Sequence, residues 1–294
     1  MGFCAGVRRA VNYAESALEK NKTGQVYTLG PLIHNPVALA DFERRGIKIL
    51  SEENISAVKK EDTVVIRAHG VKPEVYQALI SSGAEVLNGT CPIVQSNQKK
   101  CAEYASKGYT IFFTGDTHHG EVIGIEGAAR KGAEDSGLKL NFFLVKDKNE
   151  SEEVIQILKA GNNSDVTSSP VVLLSQTTFS ISVFDEIEQV LSRHYSNLEV
   201  LKTICPATHE RQNSLVELCK KVDGVIVIGG KSSANTNRLL ATALKLCRYA
   251  VLIESAEEIP DIFFTFGTVG LTAGASTPDK VIEEVESKLC NGYN

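Results

Sequence analysis

Three of the seven cysteines open the same local pattern. Cys4 lies in Gly2-Phe3-Cys4-Ala5-Gly6-Val7, Cys91 in Asn88-Gly89-Thr90-Cys91-Pro92, and Cys205 in Lys202-Thr203-Ile204-Cys205-Pro206. Apolar stripes at helical spacing follow each one: Val7, Val11, Ala14, Leu18; Val94, Cys101, Tyr104, Ala105; Leu215, Leu218, Cys219, Val222. A thiol at the mouth of a helix is biased toward the thiolate, the form that binds metal. Three thiolates suit zinc with a water in the fourth position. They equally suit a four-iron cluster in which one iron lacks a protein sulfur and stays open to a substrate oxygen. No Cys-x-x-Cys pair occurs, which disfavours zinc ribbons and ferredoxin-type clusters. Cys101, Cys219, Cys247 and Cys290 read as core filler.

A second group of residues sits in polar turns. His34, His69, Ser233, Asn235 and Ser276 each follow a short apolar run and precede a helical pattern. Imidazoles, hydroxyls and amides beside backbone N–H groups at helix starts make an anion site, most naturally for phosphate. Singly, the Ser and Asn residues would be ordinary helix N-caps. Five at equivalent turns favour a shared pocket. His119 and Glu121, an imidazole and a carboxylate two residues apart, could relay protons beside a metal centre.

The elements that must position these groups repeat three times. Each cysteine-led helix runs toward a glycine, Gly24, Gly108 or Gly224, read as a left-handed cap. A strand follows at residues 25–29, 109–113 or 225–228, then a polar turn. His34 lies 30 residues after Cys4, His119 28 after Cys91, and Asn235 30 after Cys205. The second halves match too. Runs at 64–70, 171–178 and 268–276 end at His69, at the hydroxyls of Thr177 and Thr178, and at Ser276. Apolar strands alternating with helices predict an α/β fold with parallel sheets covered on both faces. Ligands bind at the carboxyl ends of such strands, where the polar turns fall. Three α/β units are expected, at residues 1–90, 91–204 and 205–294, the last with a C-terminal strand and helix. A pseudo-threefold axis would bring the three cysteines to its centre.

The 294 residues are 43% hydrophobic and 23% charged, so a packed core is expected. A formal net charge of −5 argues against a surface that coats nucleic acid. No apolar run is long enough to span a membrane, and no signal or transit segment is recognisable. A cytoplasmic location is expected. An odd count of cysteines in a reducing compartment is unlike a disulfide framework.

Taken in order along nearly the whole chain, the motifs resemble the 4-hydroxy-3-methylbut-2-enyl diphosphate reductase family, also called LytB or IspH. The resemblance rests on Gly2-Phe3-Cys4-Ala5-Gly6-Val7, Ile33-His34-Asn35, Arg67-Ala68-His69-Gly70, Thr90-Cys91-Pro92, His119-Gly120-Glu121-Val122, Gln176-Thr177-Thr178, Ser233 with Asn235 and Asn237, and Thr272-Ala273-Gly274-Ala275-Ser276. It implies a cloverleaf of three α/β units around one central [4Fe-4S] cluster per chain, with Cys4, Cys91 and Cys205 as its ligands. It implies reductive removal of the hydroxyl from an allylic diphosphate, giving isopentenyl and dimethylallyl diphosphates, the last step of the non-mevalonate isoprenoid pathway. Glu121 matches the proton donor, with Thr177 and His119 in the relay. His34, His69, Ser233, Asn235 and Ser276 match the diphosphate pocket, which His119 shares. A ferredoxin or flavodoxin is the implied electron donor.

Four departures stand out. Arg8 replaces a usual Asp, Gly120 a usual Pro, and Ala234 the second of two serines. The family also carries a strand ahead of the Gly-Phe-Cys turn, so a start upstream of Met1 is expected. Two rival readings compete: quinolinate synthase, which also joins three α/β units around a cluster held by three cysteines, and a non-catalytic zinc or phosphate binder. The His119-Gly120-Glu121 and Ser233–Asn237 motifs fit the reductase better.

Overall fold

The computed structural model describes residues 1–21, 23–160 and 169–292. Among these residues three parallel sheets form, each built from one of the three repeats. The first joins β1 (Val26–Leu29), β2 (Ile47–Leu50), β3 (Thr63–Ile66) and β4 (Glu85–Asn88) in the order β2-β1-β3-β4. The second joins β5 (Thr110–Thr114), β6 (Asn141–Val145), β7 (Val171–Ser175) and β8 (Leu198–Val200) as β6-β5-β7-β8, the same order. The third joins β9 (Gly224–Ile228), β10 (Tyr249–Ile253) and β11 (Val269–Ala273) as β10-β9-β11. The expectation of an α/β fold with parallel sheets holds.

The chain divides into two compact units. One holds Met1–Ala68, Leu79–Cys91 and Pro206–Asn294, and so carries the first and third sheets; the other holds His69–Ala78 and Pro92–Cys205, with the second sheet.

The central strands are buried on both faces, their side chains alternating between two core clusters. On β5, Phe112 faces one core cluster with Leu173 and Val171, while Ile111 and Phe113 face another with Val172 and Leu174. On β9, Ile226 and Ile228 face one side and Val225 and Val227 the other. All of these are fully buried, as strands covered on both faces must be.

The helices led by cysteines are α1 (Ala5–Lys20), α4 (Pro92–Ser106) and α8 (Pro206–Cys219), with α2 (Pro36–Arg44) and α3 (Pro73–Ser81) between the first two. On α1 the buried stripe is Val7, Ala10, Val11, Ala14 and Ala17, whose small members allow close approach to the sheet. The helices after the polar turns are α2, α5 (Gly120–Asp135) and α9 (Ala234–Leu246). The rest are α6 (Lys148–Ala160), α7 (Ile181–His194) and α10 (Asp279–Gly292).

The cap glycines are a partial correction. Gly108 is left-handed, at φ 75°, just after α4. Gly24 and Gly224 are not caps. A Cβ on Gly24 would strike the Glu61 carbonyl, and one on Gly224 the Phe263 and Phe266 rings, so both glycines serve close packing. Cys101 and Cys219 are buried filler as expected, but Cys290 is exposed near the end of α10.

Candidate active site

In each sheet the chain crosses to one side and then the other from a central strand, so a switch point lies between β1 and β3, β5 and β7, and β9 and β11. Ligand crevices form at such points, at the strands' carboxyl ends. The candidate residues follow these strands: His34 after β1 and His69 after β3; His119 and Glu121 after β5 and Thr177 after β7; Ser233 and Asn235 after β9 and Ser276 after β11.

The cysteine turns are equivalent in detail. The Cys4 N–H donates to the Ala275 carbonyl at 2.9 Å, Cys91 N–H to Ala68 at 3.0 Å, and Cys205 N–H to Thr177 at 2.9 Å. Each acceptor lies two residues past the third strand of its sheet. Cys4 is also the N-cap of α1, its Sγ accepting the Val7 N–H at 3.5 Å. All three thiols are half-buried. Burial pushes the Cys101 and Cys219 thiols up, toward the inert protonated form.

Cys4 and Cys91 belong to the first unit and Cys205 to the second. Among the described residues, no three His, Cys, Asp or Glu side chains gather into a metal-holding set. The local chemistry nevertheless suits a bulky soft group. Within the first unit, a Cβ on Gly6 would lie 2.8 Å from the Cys91 sulfur, so Gly6 leaves that thiol room beside the start of α1.

In the second unit, Glu121 is 1% exposed. Its Oε1 accepts the Thr177 N–H and its Oε2 the Thr177 hydroxyl, both at 2.7 Å. Through the Thr177 carbonyl this pair is one residue from the Cys205 N–H. His119 caps α5, its Nδ1 accepting the Glu121 N–H at 3.2 Å. That bond requires an unprotonated Nδ1 and leaves Nε2 as the donor. The His69 ring meets His119 edge-on, with centroids 4.9 Å apart. Thr177 is the partner that spacing could not show: it grips Glu121 across 56 residues.

In the first unit, Ser233 is buried and caps α9, accepting the Thr236 N–H at 3.3 Å. The N-cap reading is therefore correct for its oxygen, while the hydroxyl proton stays available to donate. Asn235 is 6% exposed, and its Nδ2 is a buried donor with no partner. Such an orphan costs about 1–3 kcal/mol until an acceptor arrives. The His34 Nδ1 lies 3.5 Å from the Ser232 hydroxyl, so the turn after β1 meets the turn after β9. Burial, with the Arg67 guanidinium nearby, holds the His34 imidazole below its ordinary titration range. Residue type and spacing give no signal for Arg67, which lies two residues before His69. Arg67 is a half-buried cation whose Nε has no partner, packed against Gly30. Ser276 is buried beside the Ala275 carbonyl that holds Cys4.

Of the departures, Arg8 has a local explanation, and nothing in the structure explains Gly120 or Ala234. Arg8 pairs with Asp279 at 3.2 Å and lies over the Phe3 ring, tying the Cys4 turn to α10. Gly120 and Ala234 are the first residues of α5 and α9.

Fold and site together define a threefold-repeated α/β protein with a thiol in each repeat's leading turn and a buried acid in the middle one. The LytB protein family model matches residues 1–290. A 4-hydroxy-3-methylbut-2-enyl diphosphate reductase of Treponema pallidum is 40% identical, covering 99% of this chain and 82% of its own. That of Treponema denticola is 39% identical over 99% and 97%. A solved structure of (E)-4-hydroxy-3-methyl-but-2-enyl diphosphate reductase, described as the terminal enzyme of the non-mevalonate pathway, aligns at TM-score 0.70 with 35% identity, over 99% of this chain and 96% of its own. The Plasmodium falciparum reductase structure shares the fold at TM-score 0.84 and 24% identity, over 97% and 84%. The chain belongs to the LytB family.

Proposed function

We propose that this chain reduces 4-hydroxy-3-methylbut-2-enyl diphosphate to isopentenyl and dimethylallyl diphosphates. The allylic hydroxyl leaves as water, with two electrons and two protons consumed. The threefold equivalence of the Cys4, Cys91 and Cys205 turns carries this reading. Three thiols held by the same backbone bond, each at the head of a helix, match in number and kind the ligand set of a single [4Fe-4S] cluster per chain with one open iron. When bound, that cluster would supply the electrons and act as a Lewis acid on the substrate.

The remaining roles fall to the side chains. Glu121 holds the proton for the reacting carbon. The Thr177 hydroxyl donates to an ionised Glu121 and can turn to accept from a protonated one, so the clasp survives either state. His34, His69, His119, Ser233, Asn235 and Ser276 bind the diphosphate. The orphan Nδ2 of Asn235 and the spare hydroxyl proton of Ser233 support that assignment. The chain works as three α/β units, 1–90, 91–204 and 205–294, in the cytoplasm, with a ferredoxin or flavodoxin as electron donor. The structure contains no helix long and apolar enough to cross a membrane among the described residues.

Anaerobic reconstitution tests the reading. The protein should turn brown, bind about four irons per chain, and convert the allylic diphosphate when an artificial reductant is supplied. A colourless, iron-free product, or full turnover by Cys91→Ser, would overturn it.

A further inference from the structure

The three cysteine turns share a second set of contacts, made by side chains. Arg9 is on α1, five residues after Cys4, and its Nη1 donates to the carbonyl of Thr90, the residue before Cys91, at 2.9 Å. Asn97 is on α4, six residues after Cys91, and its Nδ2 donates to the carbonyl of Thr203, two before Cys205, at 3.4 Å. Arg211 is on α8, six residues after Cys205, and its Nη2 donates to the carbonyl of Gly2, two before Cys4, at 3.2 Å. Each helix headed by one cysteine thus reaches the backbone just ahead of the next. The order closes on itself: Cys4 to Cys91, Cys91 to Cys205, Cys205 to Cys4.

We propose that Arg9, Asn97 and Arg211 are positioning residues that set the three cysteine turns in cyclic order, each governing the cysteine after its own. The chemistry suits the task. A buried or half-buried carbonyl ahead of a metal-ligating turn needs a fixed donor, or the turn drifts and the sulfur with it. Guanidinium groups bear a rigid fork of donors and a permanent charge, so they hold carbonyls in a set plane and more strongly than neutral donors. Arg211 uses the fork twice: Nη1 also donates to the carbonyl of Ala273, three residues before Ser276. It therefore joins the Cys4 turn to the turn that presents the Ser276 hydroxyl, which also holds Cys4 through the Ala275 carbonyl. Asn97 is neutral and its bond is the longest of the three, but it is only 2% exposed, so no water replaces it. Thr203 is clasped besides by Ser175, whose N–H donates to the Thr203 hydroxyl at 2.7 Å. The Cys205 turn should consequently depend least on its clamp.

The test is alkylation of the full chain under anaerobic conditions with a chelator present, followed peptide by peptide by mass spectrometry. Arg9→Met should speed modification of Cys91 alone, Arg211→Met that of Cys4 alone, and Asn97→Ala that of Cys205 alone. About tenfold is expected for the two arginines, the equivalent of one charge-assisted hydrogen bond, and less for Asn97. Arg9→Lys and Arg211→Lys keep the charge without the fork and should fall between parent and Met variants. They read the same order if a Met variant fails to fold. Faster modification spread evenly over the three cysteines, or none, would overturn the proposal. This arm needs no cluster, so it is independent of the function proposed above; only a second arm rests on it. In reconstituted protein, Arg211→Met should raise KM for the allylic diphosphate, through the Ser276 turn. Arg9→Met should alter the visible spectrum through the Cys91 turn; a parental spectrum would remove its link to that turn. A parental KM in Arg211→Met would remove its link to the Ser276 turn.

Discussion

Glu121 has both carboxylate oxygens occupied by one residue, Thr177, in a site closed to water. Replacing it with Gln preserves this clasp. The amide oxygen accepts the Thr177 N–H, and the amide N–H₂ donates to the Thr177 oxygen once the hydroxyl turns. The variant should thus fold, take up iron and show the parental spectrum, yet lose turnover by about 10²–10⁴-fold, the usual weight of a positioned acid. Single-turnover assay with a chemical reductant checks it; parental turnover would remove Glu121 from the chemistry. At this scale residue types and spacing indicated which groups matter, while the Thr177 partner of Glu121 came only through the family resemblance and Arg211 not at all. His119 and Glu121 are two residues apart and legible as a pair. Thr177 and Arg211 act across 56 and 209 residues, and no local pattern reports a bond between a side chain and a distant backbone.

Among the elements, the start of α1 is the most constrained. Gly6 lies in its first turn, where Ala would ordinarily gain about 0.5–1 kcal/mol from helix propensity. Here the added Cβ would sit 2.8 Å from the Cys91 sulfur and 2.9 Å from its Cβ, so the clash outweighs the propensity. Gly6→Ala should lower iron content after reconstitution by more than about half and displace the Cys91 turn. Iron and sulfide analysis beside the parent measures this. Helix and strand order was legible because β5, β7 and β9 are short continuous apolar runs, as strands buried on both faces must be, and α1 carries an apolar stripe of helical period. Helix ends were less so. Gly24 and Gly224 read as caps in the sequence but lie beyond the helix ends, and the reason for glycine is a neighbouring carbonyl in one case and two aromatic rings in the other. Only packing between distant segments reveals that.

For the whole molecule, His34 links local electrostatics to stability. It is neutral in the folded chain at neutral pH, held there by burial and by Arg67. Above about pH 6.5, His34 is also neutral in the unfolded chain and exerts no pull. As pH falls below that value, the unfolded chain takes up the proton first, so stability declines until the folded imidazole also titrates. Urea unfolding between pH 8 and pH 5 should show this loss, and His34→Gln should flatten it; an equal slope in both would exclude His34 as its source. Three repeats, parallel sheets and three equivalent cysteines were determined by the sequence alone, because spacing and hydrophobic period are local properties that each repeat states independently. Tertiary structure alone decided which groups touch: the Thr177 clasp on Glu121, the orphan amide of Asn235, the Arg67 cation beside His34, and the cyclic bonds from Arg9, Asn97 and Arg211. These join segments far apart in the chain, and their geometry exists only after the sheets have packed.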